Sequence, residues 1–305
     1  MSPAKVIRLR DSGGSEEHPS ASAGSGLPAS GPDVPGWERK AAGALAFLRR
    51  RLTGDFDVDE YGYDQDYYDH VIGPALNWVY DSYWRVETFG LENIPDDGAA
   101  LLVSNHSGTV AIDLPMVTVA VREHHPKHRM VRALGANFVF ALPVLAVIAR
   151  RMGATLACNE DADDLLSKGH LVAVFPEGVK GVGKGWNERY KLQRFGRGGF
   201  VRTAIKNGVP IIPTAIIGAE EALPMIGRFN GLGKMIGVPF IPVLPTPVPL
   251  PSKWMIQFGE PIPTDHLDKD ALDDPMLLSE LSDQIRETIQ QQVYDLLRTR
   301  KSIFF

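Results

Sequence analysis

A histidine and an aspartate stand close together after an apolar run of the chain. The segment SNHSGTVAID (residues 104–113) directly follows AALLV (residues 99–103) and precedes a helical pattern. Catalytic residues of parallel α/β sheets collect at the carboxyl ends of strands. His106 there can act as a general base near neutral pH, and Asp113 can fix its tautomer from the other ring nitrogen. The alternative is a structural histidine in a turn, followed by an aspartate that caps the next helix.

A carboxylate and a group of cations follow a second apolar run, LVAV (residues 171–174). This run ends in FPEG, in which Glu177 can accept hydrogen bonds from substrate hydroxyls and Gly178 lets the backbone turn close to a ligand. Residues 180–206 then hold eight lysines and arginines against one acid, in a chain whose net charge is −5. Because arginines and helix N-termini suit anions, this stretch predicts an anionic ligand. The alternative is a solvated basic face.

Together these blocks resemble the glycerolipid (lysophospholipid) acyltransferase family, which includes the 1-acylglycerol-3-phosphate O-acyltransferases. The family has Asn-His followed by Asp, then Phe-Pro-Glu-Gly, then Val-Pro-Ile-Ile-Pro. This chain has Asn105-His106, Asp113, FPEG at 175–178 and VPIIP at 209–213 in that order, and the resemblance covers about residues 85–265. Six residues separate His106 from Asp113 where the family usually has four, and Ala111 occupies the usual aspartate position.

The resemblance implies transfer of a fatty acyl group from acyl-CoA or acyl-carrier protein to a hydroxyl of a glycerol-phosphate type lipid such as lysophosphatidate. His106 would deprotonate the hydroxyl, Asp113 would orient His106, and Glu177 would hold the glycerol. Backbone N–H groups beside His106 would stabilise the oxyanion, and cations would bind the phosphate. The residues implied to bind substrate are Asn105, Ser107, Gly108, Glu177, Gly178, Lys180, Lys191, Arg194 and Arg197. Because a thiolate is an adequate leaving group, neither a cofactor nor a metal is expected, and the partners are the acyl thioester and the lipid acceptor.

Three other classes of protein compete with this interpretation. An ester or thioester hydrolase would use the same His106 with water as the acceptor. A non-catalytic lipid-binding protein would not need that histidine. The segment GVKGVGKG (residues 178–185) also matches a phosphate-binding P-loop except at its last position, where Gly185 cannot bind magnesium.

Short β-rich runs alternate with helical patterns in the part of the chain that must position these residues. Strands are predicted at 86–90, 99–105, 170–176, 209–216 and 253–262, and helices at 114–123, 138–150, 161–167, 198–206 and about 275–300. The alternation predicts an α/β fold with a largely parallel mixed sheet flanked by helices. Residues 85–305 are predicted to form this acyltransferase domain.

A disordered tail and an N-terminal helical pair are predicted to precede the α/β domain. Eighteen of residues 1–36 are Gly, Pro or Ser, so this tail cannot bury enough apolar surface to fold. Residues 37–84 are predicted to be a membrane-proximal segment: a basic amphipathic helix over 37–53, an acidic solvated connector over 55–69 and a second helix over 67–83.

The rest of the composition bears on partners and location. A net charge of −5 argues against a dedicated nucleic-acid binder, and the single cysteine, Cys158, excludes a disulfide framework. The chain has no apolar run of the ~18 residues that a membrane span needs. His124, His125 and His128 have only Glu123 as a nearby carboxylate, so no metal site is predicted. The predicted location is cytoplasmic, on the inner face of the membrane, with the proline-rich stretch 225–250 and the first helix docked on lipid.

Overall fold

The computed structural model describes residues 36–196, 198–235 and 237–304 of the chain. The chain divides into two units, Met1–Ala46 and Phe47–Phe305. The described part of the first unit belongs to helix α1, Gly36–Thr53, in which Trp37 and Leu45 are exposed. The tail predicted to be disordered lies outside the described residues, except that Gly36 begins α1.

A seven-stranded sheet forms the centre of the second unit, in the order β1-β9-β6-β2-β5-β3-β4. Neighbouring strands are parallel except β6 and β9, which are antiparallel. The strands are β1 (Glu87–Phe89), β2 (Ala100–Ser104), β3 (Val131–Gly135), β4 (Ala154–Leu156), β5 (Leu171–Val174), β6 (Ile211–Ile217) and β9 (Met255–Phe258), while β7 (Gly227–Phe229) and β8 (Ile241–Val243) form a separate ribbon. This sheet, flanked by helices, confirms the predicted α/β fold.

Helices connect the strands and match most of the predicted positions. They are α2 (Gln65–Tyr67), α3 (Gly73–Trp78), α4 (Asp113–His124), α5 (Asn137–Ala141), α6 (Pro143–Arg151), α7 (Asn159–Ser167), α8 (Val179–Val182), α9 (Gly199–Asn207), α10 (Ala219–Ala222), α11 (Asn230–Met235) and α12 (Pro275–Thr299). Two π-helical turns, Tyr68–Ile72 and Val79–Tyr83, join α2 and α3 into one helical path from 65 to 83. The single helix predicted over 138–150 is wrong: Leu142 is extended, because the residue before Pro143 is disfavoured in a helix.

The apolar core lies on both faces of the sheet because side chains alternate along each strand. Leu102 of β2 packs on one face with Met116 of α4, and Trp84 stacks on Trp254 there with ring centroids 4.4 Å apart. Leu101 of β2 faces the other way, into a cluster formed with α7, α9 and α12. Burial on both faces explains the continuous apolar runs of β2, β5 and β6.

Residues 55–60 of the acidic segment are exposed, as a solvated connector predicts, but residues 61–69 are mostly buried or half-buried, so for them the prediction is wrong. Most of its acids have cationic partners. The pairs are Asp59 with Arg132, Glu60 with Lys168, Asp64 with Arg51, Asp66 with Arg50 and Asp69 with Arg122. Asp64 is completely buried, and Arg132 is 3% exposed. These pairs also engage two of the arginines at the end of α1 that were expected to face a membrane.

The proline-rich stretch 225–250 folds into the β7–β8 ribbon, with α11 between its strands. Phe240 at its base is buried with Val182 of α8 and Met225. Large apolar side chains on its outer side are exposed: Ile226, Phe229, Leu232 and Met235. Among the described residues, no helix is long and apolar enough to cross a membrane.

Candidate active site

His106 follows β2, whose neighbours in the sheet are β5 and β6. Its Nδ1 lies 2.8 Å from Oδ2 of Asp113, and its ring stacks on Phe175 with centroids 4.5 Å apart. Because a carboxylate can only accept, Nδ1 carries the hydrogen and Nε2 presents a lone pair. The side chain is 13% exposed, so a ligand can reach it. Within the described residues, Nε2 makes no hydrogen bond.

Asp113 is completely buried and accepts three hydrogen bonds. Its Oδ2 accepts from the Nδ1 of His106 and, at 3.0 Å, from the backbone N–H of Ser107, while Oδ1 accepts from Leu114 at 3.1 Å. The loop over residues 107–112 therefore brings the two predicted catalytic side chains together despite their six-residue separation. Asp113 is the first residue of α4, and Ile112 stands at the N-cap, so the predicted capping role is not observed.

Glu177 follows β5, and its carboxylate is fully engaged with the protein. Oε1 accepts from the backbone N–H of His106 at 2.8 Å, and Oε2 accepts from the N–H of Gln193 at 2.6 Å. Its side chain is completely buried. This carboxylate joins the loop that carries the histidine to the loop over residues 186–196. The geometry thus gives Glu177 backbone partners in place of the expected substrate hydroxyls.

Two glycines bring α8 against this pair of residues. Gly178 has a φ of +53°, which lets the chain turn immediately after Glu177. A Cβ at Gly181 would lie 2.6 Å from Cβ of His106 and 2.7 Å from Cβ of Glu177, so only glycine fits there. Gly181 was not predicted as a site residue. The only sequence feature that singled out Gly181 was its place in the P-loop-like segment.

Asn105 is committed to the sheet, where its side chain completes the pairing of β2 with β6. Its Nδ2 donates to the carbonyl of Ile216 at 3.0 Å, and its Oδ1 accepts from the N–H of the same residue at 2.8 Å. The N–H groups of His106 and Ser107 are also taken, by Glu177 and Asp113. Of the N–H groups expected to stabilise an oxyanion, the one on Gly108 has no partner among the described residues.

A buried lysine and two glutamates form a cluster that was not predicted. Nζ of Lys184 lies 3.1 Å from Oε1 of Glu220 and 3.5 Å from Oε2 of Glu177, and the lysine side chain is 3% exposed. Burial raises the pKa of Glu220 to about 7, an effect that the ammonium only partly offsets. Burial lowers the pKa of Lys184 less than the two carboxylates raise it, so that pKa lies above its ordinary value.

The cations expected to bind phosphate do not belong to this buried cluster. Lys180 on α8 is exposed, and Lys191 and Arg194 are exposed in the loop over residues 186–196. Arg197 lies outside the described residues. None of the three described cations makes an ion pair within the described part of the chain. Among the histidines at 124, 125 and 128, for which no metal site was predicted, His125 contacts the backbone carbonyl of Ile94 through Nε2.

The loop over residues 186–196 is fastened to helix α12. Gln290 accepts from the N–H of Leu192 and donates to the carbonyl of Tyr190, both at 2.8 Å. Arg300 donates to the hydroxyl of Tyr190 at 2.7 Å and to Glu221 at 2.6 Å. The second partner of Glu177 is thus held in place by the C-terminal helix.

A small cleft, open to solvent, is lined in part by residues next to the histidine. Gly108 and Gly181 form its wall on the histidine side, and Lys184 and Glu220 form its polar floor. Gly185 and Arg189 also line the cleft. The guanidinium of Arg189 lies 4.3 Å from the centre of the Trp186 ring and donates to that residue's carbonyl.

Comparison with known proteins identifies similar sequences and a solved structure with a similar fold. The model of a family described as "Acyltransferase" matches residues 85–217. An uncharacterised protein of Mycobacterium tuberculosis is 51% identical over 273 residues, which cover 87% of this chain and 76% of that protein. An uncharacterised protein of Mycobacterium leprae is 49% identical over 273 residues, covering 87% of this chain and 74% of that protein.

Two further proteins are more distant. The human "DGAT1/2-independent enzyme synthesizing storage lipids" is 31% identical over 182 residues, which cover 59% of this chain and 54% of that protein. The crystal structure of the 1-acyl-sn-glycerophosphate acyltransferase PlsC from Thermotoga maritima has a TM-score of 0.52 at 18% identity, covering 87% of this chain and 99% of that chain. At that identity the match shows a shared fold.

Proposed function

Because this chain belongs to the glycerolipid acyltransferase family and is an O-acyltransferase acting on lipids, we propose that it transfers a fatty acyl group from an acyl thioester directly to a glycerol-type lipid hydroxyl. The observation that carries the proposal is the Asp113–His106 pair, in which Nε2 of the histidine makes no hydrogen bond within the described residues and the side chain is 13% exposed. The acyl donor is acyl-CoA or acyl-carrier protein.

The histidine is the general base of the proposed reaction. Nε2 removes the proton of the acceptor hydroxyl while its oxygen attacks the thioester carbonyl. The carboxylate of Asp113 stabilises the imidazolium that forms. Collapse of the tetrahedral intermediate breaks the carbon–sulfur bond, and the proton passes from the imidazolium to the departing thiolate. The N–H of Gly108 is the proposed oxyanion donor, since its two predecessors are already engaged.

Glu177 is proposed to position the base and not to bind the acceptor. It fixes the backbone of His106 through one oxygen and that of Gln193 through the other. Displacement of a general base by about 1 Å lowers the rate of the chemical step roughly 100-fold, so a contact that fixes the backbone of the base supports catalysis.

Two acceptor classes fit different parts of the structure. A glycerol-phosphate type acceptor, such as lysophosphatidate, is supported by the exposed Lys180, Lys191 and Arg194, which have no ion-pair partner in the part of the chain that the structure describes. A neutral glyceride is supported by the carboxylate of Glu220 in the cleft, which would oppose a phosphate placed there. The printed name of the human relative, an enzyme synthesizing storage lipids, agrees with the second class.

A lipid surface is the proposed source of the acceptor, on the cytoplasmic face of the membrane. Phe229 and Met235 of the ribbon are 59% and 81% exposed, and Val144 and Val147 of α6 are 75% and 52% exposed. Large apolar side chains that are exposed on a protein surface are typical of contact with a membrane or a partner. Met235→Asp should lower the fraction of protein that sediments with anionic liposomes. Met276→Asp, at a site 82% exposed on α12, should leave that fraction unchanged.

Product analysis tests the reaction itself. Purified protein is incubated with a long-chain acyl-CoA and a panel of acceptors, namely lysophosphatidate, monoacylglycerol and diacylglycerol. The proposal expects acceptor-dependent ester formation that is lost in His106→Ala. Loss of thioester without a lipid product would indicate a hydrolase, and ester formation unchanged in His106→Ala would contradict the role of the base. Lipid binding without any turnover would indicate a non-catalytic protein.

A further inference from the structure

The cleft beside the histidine has a charged floor that the proposed proton transfer does not use. Lys184 comes from the P-loop-like segment, yet its ammonium lies between two carboxylates, 3.1 Å from Glu220 and 3.5 Å from Glu177. Neither Nζ of Lys184 nor Oε1 of Glu220 has a hydrogen bond of good geometry among the described residues. Both residues line the cleft. A buried donor and a buried acceptor in this state are expected to be satisfied by a ligand or by water.

When Glu220 is ionised, the charges around the cleft balance, and this balance bears on the kind of group that fits. Lys184 and Arg189 bring two positive charges, while Glu177 and Glu220 bring two carboxylates. Arg189 is engaged with Trp186. Above the raised pKa of Glu220, which is about 7, an anion entering the cleft would meet a second anion at Oε1 of Glu220. A hydroxyl can accept from Nζ and donate to Oε1, so it satisfies both atoms.

The position of the cleft relates that hydroxyl to the reaction. Gly181 in its wall lies against His106, and Gly108 follows the histidine by two residues. The wall of the cleft therefore adjoins the histidine, and a hydroxyl subsite in the cleft requires the glycerol to span from Nε2 to the floor of the cleft.

We propose that the cleft is a subsite for a second, uncharged hydroxyl of the acceptor's glycerol, which accepts from Lys184 and donates to Glu220. The acceptor is then a neutral lipid with two free hydroxyls, of the monoacylglycerol class. This inference rests on the proposed acyl transfer and names its substrate class.

The test compares acceptors that differ only at this hydroxyl. Monooleoylglycerol is compared with the oleoyl ester of 1,2-propanediol, which lacks the third hydroxyl, and with lysophosphatidate, which carries a phosphate there. The wild-type protein should show a kcat/KM about 10- to 100-fold higher for monooleoylglycerol than for either of the others, because the other acceptors leave the buried groups of the cleft without their hydrogen bonds. The ratio is measured on one enzyme sample, so partial unfolding does not change it.

Two variants test whether the preference for monooleoylglycerol arises in the cleft. Glu220→Gln removes the charge but keeps an oxygen for the N–H of Tyr190, which the native carboxylate accepts at 2.9 Å. Gly185→Leu fills the cleft, since a Cβ at Gly185 meets no atom within 4 Å. Both should bring the ratio of monooleoylglycerol to propanediol ester close to one. Gly199→Leu is the matched control, because among the described residues a Cβ there also meets no atom within 4 Å and Gly199 does not line the cleft.

Each result has a definite meaning. Equal use of monooleoylglycerol and the propanediol ester by the wild-type protein overturns the subsite while leaving the acyl transfer intact. A preference for lysophosphatidate that Gly185→Leu abolishes overturns it in favour of a phosphate site. If both Glu220→Gln and Gly185→Leu keep the preference for monooleoylglycerol, the second hydroxyl binds outside the cleft, and the subsite is overturned too. Ester formation with none of the acceptors overturns both this inference and the proposed function.

Discussion

Replacement of Glu177 by glutamine separates two possible roles for this carboxylate. Both of its oxygens accept backbone N–H groups, from His106 at 2.8 Å and from Gln193 at 2.6 Å. Glutamine has one oxygen, so one of these N–H groups would face an NH₂ group that itself lacks an acceptor. Two buried donors would then be unpaired, at about 1–3 kcal/mol each. We therefore expect Glu177→Gln to lower the free energy of unfolding by roughly 2–6 kcal/mol.

The kinetic consequence follows from the same contacts. If the N–H of His106 is the one left unpaired, its backbone shifts, and a displacement of about 1 Å lowers kcat roughly 100-fold. The KM for the acceptor should not change, because the carboxylate has no surface open to a ligand. A residue that bound the acceptor would give the opposite pattern, with a raised KM and little loss of stability.

Chemical denaturation and steady-state kinetics on the same samples measure both quantities. Glu280→Gln is the control, since Glu280 is an exposed glutamate on α12 and should leave stability and kinetics at wild-type values. A Glu177→Gln protein with wild-type stability and a raised acceptor KM would refute the positioning role and restore substrate binding as its function.

Three further predictions concern neighbouring groups. Asp113→Asn should lower kcat about 10³- to 10⁴-fold in the acyl-transfer assay, because an amide can support the wrong tautomer of His106. Gly181→Ala should lower kcat more than about 100-fold, since its Cβ would lie 2.6 Å from that of the histidine, while Gly199→Ala, whose Cβ meets no atom within 4 Å, should keep wild-type kcat. Burial raises the pKa of Glu220 from 4.5 to about 7, so the folded protein keeps a proton that the unfolded chain releases between these values. Thermal unfolding should therefore show stability falling as the pH rises from 4.5 to about 7, with a smaller decrease in Glu220→Gln.

The catalytic pair was predictable because its signals are local. His106 and Asp113 stand after an apolar run and before a helical pattern, and the end of a parallel strand is where such residues collect. The loop between them has two more residues than the family usually has, and the folded chain still places Nδ1 and Oδ2 2.8 Å apart. Backbone partners are not visible in a sequence, which is why Glu177 was expected to face a substrate.

Features that depend on long-range packing were not predicted. Lys184 stands among eight basic residues that all look like surface cations, and only the fold brings Glu220 to it. The acids at 55–69 resemble a solvated run until their arginine and lysine partners, some of them distant in sequence, are known. β3 was missed because Arg132 interrupts its apolar pattern, although that side chain is buried against Asp59.

The attachment of the 186–196 loop to α12 has a consequence for how the protein is made. All the motif residues are in place once residue 213 has been synthesised, but Gln290 and Arg300 come near the end of the chain. Domains fold as their chain emerges from the ribosome, from the N-terminal side. Until the last helix arrives, the loop that presents Gln193 to Glu177 lacks its anchor. The nascent protein therefore carries every catalytic side chain before it has a positioned base, and a chain that ends before Gln290 retains the family motifs without that support.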